Sequence, residues 1–584
     1  MERRVLVAIF LSFLVLYVYQ ALVVKPVPKP ANGTATSESL PAAGEAEKPA
    51  AAPAPAASSV SPEKASPPAL PPATPLVADS AEHDVRVETR DVIAVFTNRG
   101  ARLKSWRLKH YFDPQRQPQE IVENTVPTQP LPFTLHAPDN ETTTVLNSAL
   151  YTVSGAPLAT ASTPATSAVD LRFEYRDADG LHAIKQFHLD PAAYIITFTA
   201  TVTRADQKLT PTIVWGPAVG DVAQLSQYTQ RAEALLFLNG KAQRFTPKDL
   251  AKQSVFDGEF KFAGVDDNYF MTAALFTGPT KVGFHPVSIP AADPKSPARE
   301  LVSFSLDPQQ YDAPHRFFAG PKDFDVLVSI DTDLTRAINF GMFAVIVVPL
   351  LRSLKWVNAF VGNYGWSIVI LTIIINAIMF PLRHKSAVSM RKMQEIQPQV
   401  KAIQDRYAKL KATDPAKQKM NQELMALYRE RGVNPASGCV PMLLTFPVLF
   451  AMWALLQTSI ELRGAPWFGW IHDLSQHDPW YVLPIVMGAT QIWQQRITPA
   501  TGADPAQQKM MMFMPVIFTV MFLWLPAGAA IYYGVTNLWI IAQQYLTNHL
   551  IGPPNVRPAS RPAAERRVKR VGGGKTDAAA RESE

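Results

Sequence analysis

The sequence predicts a multi-domain membrane protein: an α-helical transmembrane bundle of six spans, an exported antiparallel β-sandwich and a cytoplasmic helical hairpin. Three observations carry this. Apolar runs stand at residues 5–24 and through the last third of the chain, near the ~20 residues a helix needs to cross a bilayer. From about 83 to 330 the pattern changes to period-two alternation punctuated by Pro and Gly. Between 383 and 434, basic residues crowd a stretch whose apolar positions recur in steps of three and four. The composition agrees: 584 residues exceed one compact core, and 47% are hydrophobic against 18% charged. The net charge is +7, but its location in particular loops matters more than its total. The single cysteine, Cys439, permits neither an intrachain disulfide nor a cysteine zinc site.

Taken in order, residues 1–24 form a signal-anchor span. Arg3 and Arg4 precede an uncharged run of full span length that lacks a small-residue cleavage pattern, which keeps the amino terminus in the cytoplasm. Residues 25–80 are a Pro/Ala-rich linker with too little apolar area to offset ordering entropy. Residues 81–332 form the sandwich. Val85, Val87, Ile93 and Val95 alternate with polar neighbours, as do Leu171, Phe173 and Tyr175 before a turn at 177–180. Tyr194, Ile196, Phe198, Ala200 and Val202 continue the pattern, and helix is expected only near 245–254. Its histidines form no ligand pair, so no metal is expected, and no catalytic constellation assembles, so no enzyme is expected either. Residues 333–360 are expected to lie on the membrane as an interfacial amphipathic helix. The apolar core 340–351 contains Pro349, is too short to span, and is followed at once by Arg352 and Lys355.

The second span, 361–382, places Thr372 and Asn376 near its middle, four residues apart and therefore on one face. Arg383 follows seven residues beyond Asn376, two turns on and almost on the same stripe. Such a stripe suits a groove reached by water from a basic mouth. It equally suits a span whose Asn hydrogen-bonds a neighbouring helix.

The basic hairpin, 383–434, carries a seam at Met393, Ile396, Val400, Ile403, Tyr407 and Leu410, and Pro398 bends its first helix or marks the start. It could dock on ribosomal RNA, a protein or anionic lipid heads, or be only a positive cytoplasmic loop. Spans three to six fall within 435–548, and the basic tail 549–584 sets both termini inside. Gln491, Gln494 and Gln495 could wet a groove or bond helix to helix. The span containing Met510, Met514 and Met521 is sulfur-rich, which suits varied apolar partners as well as core packing.

Several strings carry a family resemblance: FFAGPKDFDVL (317–327), NYGWSIVILT followed by IMFPL, NPASGCVPMLLTFPVLFA (434–451), ELRGAPWFGWIHDLS and DPAQQKMMMFMPVIFTVMFLWLPAG. With them the chain resembles the YidC-type membrane protein insertases of the Oxa family, in the Gram-negative form whose large periplasmic domain is a β-supersandwich. The resemblance implies five core spans around a hydrophilic groove and insertion without nucleotide hydrolysis or any cofactor. It implies a multi-pass protein of the bacterial inner membrane. The implied partners are nascent membrane proteins, the Sec translocon, the ribosome and membrane lipids, with no small-molecule substrate. It implies groove residues Thr372, Tyr532 and Tyr533, and places Asn376 where the family has an arginine, a loss that Arg383 could make good. The slide for client segments falls on Met442, Met510, Met514, Phe518 and Met521. The alternative is a membrane-anchored periplasmic receptor whose sandwich binds carbohydrate or peptide.

Overall fold

The computed structural model describes residues 74–155, 164–217, 230–276, 278–290, 298–308, 313–407, 416–433, 440–497 and 505–551. The expected signal-anchor, most of the linker, the hairpin turn and nearly all of the tail lie outside them. The helices are α1 (Asn140–Ser148), α2 (Pro247–Leu250), α3 (Phe324–Ile330), α4 (Ala344–Val361) and α5 (Tyr364–Glu395). They continue as α6 (Gln397–Arg406), α7 (Ala416–Glu430), α8 (Val440–Thr458), α9 (Val482–Ile497), α10 (Pro505–Phe522) and α11 (Ala527–Ile551).

The amino-terminal part is an antiparallel sandwich of an 11-stranded, a five-stranded and a four-stranded sheet. The expected alternation is visible in the strand pair Leu181–Leu189 and Ile195–Arg204, where Leu181, Ala183, Phe187, Ile196, Phe198, Ala200 and Val202 are buried. Asp177 closes the expected turn by accepting from the Leu181 N–H at 2.9 Å, and Gly180 takes the left-handed conformation the turn requires. Phe133 binds the sheets together. Its ring lies 5.1 Å from Phe187, 5.2 Å from Trp215 and 5.1 Å from Phe317, and such aromatic contacts add to plain area burial.

Two expectations need correction here. In Val92–Thr97 the inward residues are Val92, Ala94 and Phe96 rather than Ile93 and Val95, because an unbroken apolar run does not reveal which face turns inward. Helix is also less scarce than expected: α1 forms from Asn140, started by the Asp139 carboxylate, which accepts from the Thr142 N–H at 2.7 Å.

Two helices among the described residues, Gly341–Val361 and Tyr364–Glu395, are long and apolar enough to cross a bilayer. The first corrects the length argument, since α4 runs straight through Arg352 and Lys355 for 18 residues. The second corrects a boundary. α5 does not stop at 382 but continues for 32 residues through Pro381, and the chain breaks only at Ile396. There Pro398 stands in the first turn of α6, where its missing N–H costs nothing. α6 and α7 pair as expected, joined by Arg406 and Tyr407, both donating to Glu423.

Sandwich and helices are joined by buried polar groups. Asp266 accepts from Lys322 at 2.9 Å and Arg244 at 2.8 Å, and both cations also donate to the Ala337 carbonyl, just before α4. Further along α4, Lys355 pairs with Asp323, Asp325 and Glu461, which lies just beyond α8. Asn268 donates to the Gln457 carbonyl near the end of α8 at 2.9 Å.

Burial alone would raise the Asp266 pKa. The Lys322 and Arg244 charges outweigh it and hold the carboxyl below its ordinary value of 3.8. A depressed carboxylate contributes stability that is fully present above its unfolded pKa and lost as pH falls through the folded value. Asp266→Asn should therefore destabilise the protein by about 3–5 kcal/mol, the cost of breaking a buried ion pair. In thermal unfolding, the gap between wild type and variant should stay constant from neutral pH down to 3.8 and shrink only below it.

Candidate functional site

Between α5 and α11, which pack along each other, runs a seam of polar side chains in otherwise apolar helices. On α5 it consists of Thr372, Asn376 and Arg383; on α11 of Tyr532, Thr536, Gln543 and Thr547, spaced four, seven and four and hence on one face. Thr372 turns its hydroxyl onto its own helix, donating to the Ile368 carbonyl at 2.6 Å. Asn376 is only 2% exposed, and its amide donates to the Thr372 carbonyl at 2.8 Å. That bond fixes the carboxamide so that Oδ1 points along the helix, where it accepts from Arg383 Nη1 at 2.7 Å. Among the described residues, no carboxylate lies within ion-pair distance of Arg383. Tyr532 on the facing helix is within electrostatic reach of it, and its ring lies 5.2 Å from that of Tyr533.

The seam is dry at one end and open at the other. Towards the sandwich it meets Ile368, Leu371, Leu455 and Leu456, all buried. That end is sealed by the connection 459–481, whose Leu474 and Gln476 carbonyls accept from the Gly528 and Ala527 N–H groups at 2.9 and 2.7 Å. Gly365 lets this connection close, since a Cβ there would stand 2.1 Å from the Trp467 ring. At the far end lies a cavity of about 260 Å³, lined by Arg383 from α5, Phe446 and Leu449 from α8, and Ile540, Gln543 and Gln544 from α11.

Of the residues expected to line a groove, Arg383 alone reaches this cavity. Thr372, Asn376 and Tyr532 sit in the packed seam behind it, and Tyr533 is half-buried beside Phe522, 4.9 Å between rings. Three of the residues expected to form a substrate slide lie together on one helix. Met514, Phe518 and Met521 share one face of α10, with Met514 39% and Met521 38% exposed. The side chains of Met442 and Met510 lie outside the described residues. Of the α11 polar residues, Thr536, Gln543, Gln544 and Thr547 were not among those expected, although a polar stripe at helical spacing in an apolar segment carries the signal. Gln491, Gln494 and Gln495, which could wet a groove, do not line the cavity.

With this geometry in hand, comparison with known proteins decides the family. The family described as YidC periplasmic domain matches residues 84–353, and 60Kd inner membrane protein matches residues 356–553. A membrane protein insertase YidC of Pelobacter propionicus is 34% identical over 580 residues, covering 94% of this chain and all of that one. The chain belongs to the YidC family of membrane protein insertases. The YidC of Geobacter metallireducens is 33% identical, covering 94% of this chain and 99% of its own. That of Campylobacter jejuni is 44% identical over 243 residues, or 42% of this chain and 45% of its own. A crystal structure of an active YidC insertase with its first transmembrane domain resolved matches 82% of this chain and 95% of its own. Its sequence identity is 19% and its TM-score 0.32, too low to add to the sequence match. YidC proteins are integral to the inner membrane and carry a large periplasmic domain, which here is the sandwich.

The seal at the sandwich end depends on Asp478. It is fully buried and accepts from Trp470 Nε1 at 2.9 Å and from the Trp480 and Leu483 N–H groups at 3.0 and 2.7 Å, the last starting α9. Asp478→Ala should cost on the order of 2–3 kcal/mol, because three donors lose their acceptor. The expected result is a lower unfolding temperature in detergent together with a red-shifted tryptophan emission, with Asp478→Asn intermediate.

Proposed function

We propose that this protein is an inner-membrane insertase and folding chaperone. It moves nascent membrane proteins into lipid through a groove formed by α5, α8, α9, α10 and α11, alone or beside the Sec translocon. The observation that carries this is Arg383. A half-buried guanidinium with no carboxylate near it among the described residues, held by Asn376 and lining a cavity that is blind towards the sandwich, is costly unless something polar visits it. A client's polar flank entering from the open end would meet hydrogen-bonding groups midway instead of hydrocarbon, where each charged group costs at least ~2.5–3.5 kcal/mol. Its apolar part would move into lipid along the exposed α10 face bearing Met514, Phe518 and Met521, and along α8. Arg383 takes the place of the family arginine, reaching back two turns to Asn376. Thr372, Tyr532 and Tyr533 wall the inner end, and Met442 and Met510 extend the slide.

The same reading assigns the topology. The five groove helices and a signal-anchor at 1–24 give six spans, with 25–80 as tether, 81–332 in the periplasm and both termini in the cytoplasm. The α6–α7 hairpin and the tail 549–584 then face the cytoplasm, as their basic residues favour, and offer a contact for the ribosome. α4, most of the expected interfacial segment 333–360, lies in the interface. The Ala337 carbonyl ahead of it and its own Lys355 both bond to the exported domain, so it runs along the base of that domain, leaving Trp356 and Phe360 exposed to the headgroup region.

Insertion of a short client into vesicles carrying the full-length protein tests this. Arg383→Ala should lower the insertion rate about tenfold, the equivalent of one charge-assisted hydrogen bond. Asn376→Leu should fall between the two, and Asn376→Arg should recover most of the loss when added to Arg383→Ala. An Arg383→Ala protein that inserts at the wild-type rate overturns the groove reading.

A further inference from the structure

The cavity beside Arg383 is amphiphilic, and its two linings make different demands. Its apolar lining is Phe446, Leu449 and Ile540, and its polar lining is Arg383, Gln543 and Gln544 with Thr445 and Thr547. On the polar side, Arg383 spends one Nη1 bond on Asn376 and has no carboxylate near it among the described residues. Gln543 is 8% exposed, and its carboxamide oxygen has no hydrogen-bond donor among them. Gln544 donates to Asn548 at 3.0 Å. A ligand matching this polar lining brings an anion for the guanidinium and a hydroxyl or N–H for the Gln543 oxygen. A ligand matching the apolar lining brings hydrocarbon.

We propose that the cavity is a binding site for the headgroup of an anionic, hydroxyl-bearing phospholipid, of which phosphatidylglycerol is the chemical type. The phosphodiester accepts from Arg383, a glycerol hydroxyl donates to Gln543, and the start of one acyl chain lies against Phe446, Leu449 and Ile540. Each group selects against a neighbouring lipid class. A zwitterionic ethanolamine headgroup sets a second cation near Arg383, whereas phosphatidic acid supplies the anion without the glycerol donor. Free inorganic phosphate would meet the guanidinium but leave the apolar lining unused. The lipid thus serves as the counterion of Arg383 in the absence of a client, and an entering client displaces it. This goes beyond the groove reading, on which it rests only for the membrane position of Arg383.

The test uses the full-length protein in nanodiscs of equal phosphatidylglycerol, phosphatidylethanolamine and phosphatidic acid, with lipids retained after extraction counted by native mass spectrometry. Wild type should retain phosphatidylglycerol about tenfold over phosphatidylethanolamine, the preference expected of one charge-assisted contact. Arg383→Gln should abolish that enrichment and Arg383→Lys should keep most of it, which also controls for folding. Gln543→Leu should remove the preference for phosphatidylglycerol over phosphatidic acid while sparing anionic selection. Enrichment in Arg383→Gln equal to wild type overturns the proposal, as does release of the lipid by inorganic phosphate. The readout needs no insertion. A variant that keeps the lipid but loses insertion counts against a different part of the mechanism, and wild-type protein that inserts without lipid selectivity counts against this inference alone.

Discussion

The hydrogen bond from Arg383 to Asn376 is the constraint around which the helical region is arranged. A guanidinium on an apolar helix tends to reach for water, and its long stem lets it do so. Here an amide two turns away turns it back along the helix, and that amide is itself fixed by the Thr372 carbonyl. One polar residue therefore orients a charge seated at a different depth. An arginine at position 376 would combine both roles in one side chain; dividing them places the cation nearer the open end.

The remaining architecture keeps that arrangement one-sided. Closure at the sandwich end is made by backbone bonds from the connection 459–481 to the first turn of α11, by the Asp478 cap and by a glycine contact with Trp467. The sandwich takes part in this closure. Asn268 reaches the end of α8, Arg463 donates to Gln119 at 2.8 Å and lies over the Phe270 ring, and Lys355 gathers carboxylates from both sides of the junction. Among these junction groups Glu461 is buried, and that burial pushes its carboxyl pKa up against the opposing pull of Lys355. The exported domain thus braces the end of the bundle that must stay shut, while the cavity end carries no such brace among the described residues.

Much of this was legible in advance because its cause is local. Period-two alternation over 194–202 is a direct consequence of a pleated strand with one buried face, and apolar length is a direct consequence of bilayer thickness. Pro398 marked the start of α6 because a proline must sit where no helical N–H is required. The α5 stripe was legible for the same reason, since residues four and seven apart share a face in any helix. Lys185 shows where such reasoning stops. Its position puts it on the inward face with Ala183 and Phe187, an apparent breach of the core. The folded chain satisfies it with carbonyls of Gly100 and Phe133, at 2.6 and 2.8 Å, that are distant in sequence.

The sequence alone determined the family, a sandwich ahead of a helical region and the fact that Arg383 shares a stripe with Asn376. The family rests on long matching strings and the rest on spacing, which any stretch of chain carries within itself. Tertiary structure decided which end of the seam is sealed, that Asn376 is buried and not exposed to the cavity, and that Gln543 and Gln544 of α11 come to stand opposite Arg383. Those outcomes depend on contacts between residues far apart in sequence, such as Leu474 with Gly528, and no local pattern encodes which of several compatible helix faces will meet.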